Sequence, residues 1–288
     1  MEMPLPPSDV HLPVNRQVDV YGTSHPGCVR PHNEDNYLLC SLHKTMHVHA
    51  TSLEGAHRLH SERDRLGFLA VVADGLGGLD RGEEASRVAI ETIAGYAGHC
   101  MDCFYRADPT REAEFLAQLQ EAARRCHQKV VERSESHRDG TRMATTMTLL
   151  LTSGVRMYVV QVGDSRCYLL HRGKLLRITR DQTLAQQLVD EGTLTEEEAE
   201  RSRFAHVLSS AIGADALHPV TSVFTFTPRD VILLCSDGLT RHVSDEEIRE
   251  TLESLHSAEQ ATKALVDLAL ERGGEDNVTV LIGCLKRS

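Results

Sequence analysis

The chain has 288 residues, with 31 basic against 42 acidic side chains and a formal charge of −11. That balance argues against a nucleic-acid backbone or an anionic membrane as the main partner, because both repel an acidic surface. Apolar residues reach 41%, enough for a core, while aromatics at 4% and the absence of Trp remove stacking platforms for bases or sugars.

Residues 1–16 hold four prolines without periodicity and are expected to be a flexible lead-in to a single domain over 17–288. No secretory leader is expected, and no apolar run nears the roughly 18 residues of a membrane span. Residues 17–23 alternate and read as a first strand. The turn that follows brings Arg30 close to Glu34 and Asp35, just before the apolar Tyr37-Leu38-Leu39-Cys40. An arginine there is either an ion pair or a planar fork for a phosphate oxygen. Residues 43–66, with His43, His47, His49, His57 and His60, read as a solvated insertion loop in preference to a transition-metal site.

Phe68 to Ala73 is a continuous apolar run that enters Asp74-Gly75-Leu76-Gly77-Gly78. Its length and boundaries predict a strand buried on both faces, with a carboxylate at its end and glycines that let backbone come close to whatever the carboxylate holds. Residues 83–104 and 111–135 carry apolar side chains at helical spacing, and Asp108-Pro109-Thr110 punctuates the pair. Cys100 and Cys103 form a lone CxxC without a second pair at zinc spacing. Residues 143–151, 157–162, 166–171 and 174–178 read as a four-strand meander, with Asp164-Ser165 in a turn.

A short charged helical flap follows over 180–213, broken at Glu191-Gly192-Thr193. Strands are predicted over 220–226 and 231–236, the latter ending in Asp237-Gly238. Helices are predicted over 245–255 and 258–272, and Gly273-Gly274-Glu275-Asp276-Asn277 leads into a last strand, 278–285. Helices come in pairs and strands in runs, which fits an α+β fold of packed antiparallel sheets with helix pairs outside. The eight cysteines lie partly inside apolar runs, as at Cys235 and Cys284, and read as buried thiols of a soluble protein in a reducing cytoplasm.

Acids thus sit at the ends of several strands far apart in sequence. Gathered together they would repel strongly, and cations would make the cluster tolerable. Oxygen-only donors suit hard ions such as Mg²⁺ or Mn²⁺.

Six stretches carry a resemblance. They are Arg30-x-x-Asn33-Glu34-Asp35-Asn36, Val72-Ala73-Asp74-Gly75-Leu76-Gly77-Gly78, Ala144-Thr145-Thr146, Val162-Gly163-Asp164-Ser165-Arg166, Cys235-Ser236-Asp237-Gly238-Leu239 and Asp276-Asn277-Val278-Thr279-Val280. In this order, over about residues 18–285, they resemble the metal-dependent protein serine/threonine phosphatases of type 2C in their short bacterial form. The resemblance implies a four-layer α-β-β-α sandwich: two antiparallel sheets flanked by helix pairs. It implies hydrolysis of phosphoserine and phosphothreonine on proteins by a metal-activated water attacking phosphorus in line.

By the same resemblance, Asp74 bridges two Mn²⁺ or Mg²⁺ ions and the Gly75 carbonyl adds an oxygen. Asp237 and Asp276 complete one ion, Glu34 serves the other with Asp35 reaching it through water, and Asp164 serves a third, weaker ion. Arg30 would hold the phosphate. Leu76 stands where many eukaryotic members carry a candidate general-acid histidine, and Ala144 where the family usually has glycine. His206, in the flap, is read either as a proton-transfer or substrate-contact residue or as a packing residue. The implied partners are phosphorylated proteins, among them a Ser/Thr kinase whose action the enzyme reverses, and a monomer is expected. The alternative is a catalytically silent sensor or binding module. A two-metal nuclease is disfavoured by the acidic charge.

Overall fold

The computed structural model describes residues 18–43, 65–76, 81–99, 112–137, 142–254 and 257–285. The lead-in 1–16, nearly all of the insertion 43–66, Gly77-Gly78, the Cys100/Cys103 pair and Asp108-Pro109-Thr110 lie outside them.

Two five-stranded antiparallel sheets are present among the described residues. The first runs β1 (Val18–His25), β10 (Val278–Leu285), β9 (Val231–Cys235), β6 (Arg166–His171), β7 (Lys174–Arg177). The second runs β2 (Asp35–His43), β3 (Arg65–Asp74), β4 (Met147–Ser153), β5 (Arg156–Val162), β8 (Val220–Thr225). Helices α1 (Gly82–His99) and α2 (Glu112–Glu135) cover the second sheet. The flap carries α3 (Leu184–Asp190) and α4 (Glu196–Glu200), and the one-turn α5 (Asp237–Thr240) follows β9. Helices α6 (Asp245–Ser254) and α7 (Ala258–Glu271) cover the first sheet.

The period of two along each strand builds three cores. On β3, Leu69 and Val71 face α1 and α2 while Ala70 and Val72 face the opposite sheet. On β9, Leu233 and Cys235 face α6 and α7, and Ile232 and Leu234 face inward. The four-layer α-β-β-α sandwich is therefore the observed architecture, and β3, lying between β2 and β4, is buried on both faces as its composition predicts.

Several expectations are corrected. The predicted meander divides: β4 and β5 pair in the second sheet, β6 and β7 in the first. The chain crosses between sheets at Gly163-Asp164-Ser165, where Gly163 adopts φ 102° and an added Cβ would stand 2.7 Å from Thr146 Cβ. β4 begins at Met147, not 143, because Thr145 exchanges its backbone bonds with Ile212 at the end of the flap. β3 begins at Arg65, before the apolar run. Cys235 is fully buried, but Cys284 is only partly so, near the end of β10.

Candidate metal centre

The acids collect at one rim, where strands of both sheets end. Asp35 opens β2 and stands directly across from Asp74, which closes β3. Asp237 begins α5 immediately after β9, Asp276 precedes β10, and Asp164 lies in the crossing between sheets. Asp74, Asp164 and Asp35 have carboxyls pushed up, first by burial and then by the neighbouring aspartates. Asp35 reaches about 7, and Asp237 and Asp276 are among the charges that raise it. For Asp74 the contributing charges are Asp35, Asp237, Asp164 and Asp276. Five carboxylates from distant segments therefore act on one another across a small, desolvated volume.

The surrounding residues hold this arrangement. Asp35 Oδ2 accepts hydrogen bonds from Ser236 Oγ at 2.7 Å and Thr279 Oγ1 at 2.6 Å, while its Oδ1 is buried without a partner. The Asp74 backbone is fixed by Thr146 Oγ1, which accepts from Asp74 N at 3.0 Å, and by Thr145 Oγ1, which donates to Asp74 O at 2.8 Å. Thr146 Oγ1 lies 2.8 Å from Ser165 Oγ, so the Ala144-Thr145-Thr146 and Asp164-Ser165 stretches meet behind Asp74. Asn277 ties the first loop to β10: its Oδ1 accepts from Glu34 N at 2.7 Å and its Nδ2 donates to Pro26 O and His32 O.

Glu34, raised chiefly by burial, lies against the N-terminus of α1, with its Oε1 2.9 Å from where a Gly82 Cβ would stand. A Cβ on Gly75 would meet Gly82 O at 2.3 Å and Glu34 O at 2.7 Å, so this close approach requires glycine.

Arg30 is on the rim, 39% exposed, with NH2 2.9 Å from Asp276 Oδ2. The ion-pair arm of the sequence expectation is thus observed. A second arginine, Arg241, was not foreseen. It caps α5 and binds Asp237 through Nε at 2.9 Å and through NH2, and its NH1 lies 3.2 Å from Asp276 Oδ2. Asp237 and Arg241 are four residues apart on one helical turn, a spacing that brings opposite charges together and was legible in principle. His206 sits within reach of the charges of Arg241, Asp237 and Asp276, and partial burial followed by the Arg241 guanidinium lowers its pKa.

Among the described residues no three acids form a ready-made coordination cage. The donor set nevertheless fits hard divalent cations: it is all oxygen, it is mutually repelling, and it leaves the buried Asp35 Oδ1 unsatisfied. No helix among the described residues is long and apolar enough to cross a membrane.

Comparison with known proteins agrees with this reading. The family described as Protein phosphatase 2C matches residues 51–271. The serine/threonine protein phosphatase PstP of Mycobacterium tuberculosis is 38% identical over 214 residues, which is 74% of this chain and 40% of that protein. The chain thus spans less than half the length of that relative. The serine/threonine phosphatase stp of Listeria monocytogenes is 31% identical over 246 residues, covering 82% of this chain and 95% of its own. A crystal structure of the PstP catalytic domain in complex with two manganese ions superposes with a TM-score of 0.71 at 32% identity, covering 94% of this chain and 99% of that one.

Proposed function

The chain belongs to the protein phosphatase 2C family, and on that footing we propose that it is a metal-dependent protein serine/threonine phosphatase. The observation that carries the reading is the convergence of Asp35, Asp74, Asp164, Asp237 and Asp276 from the strand ends of two sheets. Asp74, the Gly75 carbonyl, Asp237, Asp276 and Glu34 would hold a pair of Mn²⁺ or Mg²⁺ ions, and Asp164 a third. Bound there, such ions supply Lewis-acid neutralisation of the phosphoryl oxygens and lower the pKa of water to near neutrality.

The chain's own residues do the positioning. Asp35 is gripped through Oδ2 by two hydroxyls, and its buried, unpartnered Oδ1 would be left as an acceptor for an ordered water. Arg30 reaches the rim with a planar fork matched to the phosphoryl oxygens, where charge grows during in-line attack. Leu76 cannot protonate the departing serine or threonine alkoxide. His206 on the flap is read either as the proton donor or as a packing residue; a changed pH–rate profile in His206→Ala would support the first role, while an unchanged one would remove it.

Residues 17–288 act as one catalytic domain in this reading. The substrates are phosphorylated proteins, including a Ser/Thr kinase or its targets, met by a monomer in the cytoplasm. The test is hydrolysis of p-nitrophenyl phosphate and of a phosphothreonine peptide with and without Mn²⁺, repeated with Asp74→Ala. Turnover that depends on metal and disappears in the variant is expected; metal-independent turnover, or an unaffected variant, overturns the reading.

A further inference from the structure

Asp276 Oδ2 accepts a hydrogen bond from Arg30 at 2.9 Å and forms an ion pair with Arg241 NH1, 3.2 Å away. Asp237 Oδ2 accepts twice from Arg241, through Nε at 2.9 Å and through NH2. A carboxylate oxygen offers two lone pairs, so Asp237 Oδ2 is filled by guanidinium N–H groups, while Asp276 Oδ2 has one lone pair engaged by Arg30 and the Arg241 cation beside it. Asp276 Oδ1 also accepts from Asn277 N at 3.0 Å. A lone pair engaged by an N–H is not free for a cation.

We propose that Arg241 is a built-in counter-cation that competes with divalent ions for Asp237 and Asp276, so that metal loading requires its guanidinium to leave. This inference rests on the metal-dependent reading above and goes beyond it by assigning the chain its own brake on loading. Arg241 is suited to the task for three reasons. It is one helical turn from Asp237, so no large movement is needed to make or break the contact. Its side chain is only 27% exposed, so solvent screens these contacts less than those of a surface pair. It alone of the two arginines touches both acids, whereas the more exposed Arg30 touches Asp276 only.

Breaking the charge-assisted bonds to Asp237 and the ion pair with Asp276 opposes the incoming ion. Removing Arg241 therefore tightens metal binding while making the metal-free protein less stable, because the acids lose their neutralising partner. A lysine at 241 keeps the charge but loses the planar fork, so it competes less well.

The experiment is calorimetric titration of MnCl₂ into the metal-stripped full chain, as wild type, Arg241→Gln, Arg241→Lys and Arg30→Gln, with thermal melts of each metal-free protein. Arg241→Gln is expected to bind Mn²⁺ about tenfold more tightly and to melt lower without metal, giving a larger metal-induced rise in Tm. Arg241→Lys should fall between it and wild type, and Arg30→Gln should change affinity less than Arg241→Gln. If Arg241→Gln does not fold without metal, Arg241→Lys carries the comparison, and wild-type affinity in that variant overturns the proposal. Equal or weaker Mn²⁺ binding by Arg241→Gln likewise overturns it. Absence of Mn²⁺ uptake by the wild type would instead sink the metal-dependent reading itself, so the two failures are distinguishable.

Discussion

Asp35 and Asp74 stand opposite one another on adjacent antiparallel strands, two like charges in a directly cross-strand pair. Such a pair destabilises a sheet in the absence of a compensating cation. It persists here with Asp35 buried and Asp74 half-buried beside the apolar run of β3, where a structural role alone would favour an apolar pair.

The pair makes the stability of the metal-free protein depend on pH. The folded-state carboxyl of Asp35 is raised from 3.8 to about 7, mainly by burial. A raised acid favours the fold while it is protonated, so that stability is present below the unfolded value of 3.8 and is lost as pH rises through about 7. Metal-free Tm should therefore fall between those limits, and Asp35→Asn should flatten the fall. Scanning calorimetry of EDTA-treated protein from pH 4 to 8 measures it, and parallel wild-type and variant curves would contradict it.

A second pH dependence has the opposite sign and lies away from the acids. His127 Nδ1 accepts the Gly213 N–H at 3.1 Å, and burial lowers its pKa below 6.5. A lowered histidine favours the fold when neutral, so its contribution is present above 6.5 and is lost as pH falls through the lower folded value. His127→Asn retains an acceptor without a titratable ring and should remove about 1–3 °C of the acid-side Tm loss.

Gly163→Ala should be severely destabilising. It forces a side chain into φ 102° and sets Cβ 2.7 Å from Thr146 Cβ and Cγ2. We expect a loss of about 2–4 kcal/mol, or a Tm drop of roughly 5–10 °C. Denaturant melts check this, and a wild-type midpoint would contradict it.

Asn277→Ala removes three hydrogen bonds that fasten Glu34 N, Pro26 O and His32 O. Leaving these backbone groups unpaired should cost about 2–4 kcal/mol. Because the same loop carries Arg30 and Glu34, Mn²⁺ affinity by calorimetry should fall along with Tm.

Much of this molecule was legible from local pattern. Apolar runs ending in acids marked β3 and β9, a run preceded by acids marked β10, and β10 spans 278–285 as its composition indicates. Helix pairs alternating with strand runs pointed to the layered sandwich. The division of the meander was not legible, because the link at Gly163-Asp164-Ser165 has hairpin chemistry, and only pairing with distant β8 and β9 reveals which sheet each strand joins. Likewise the hydroxyls that grip Asp35, from Ser236 and Thr279 more than two hundred positions later, leave no local signal around it. Arg241 was missed although it stands four residues after Asp237, because α5 is a single turn with no apolar period to announce the helix that pairs them.

The rim of acids draws Asp35 and Asp74 from one sheet and Asp237 and Asp276 from the other, with Asp164 at the strand crossing between them. Neither half of the sandwich owns a complete ligand set. An ion held by these acids would be a rivet through the seam, and whatever pried the sheets apart would first have to expel it. On the metal-dependent reading proposed above, a shortage of divalent ions would therefore loosen the whole molecule as well as silence it.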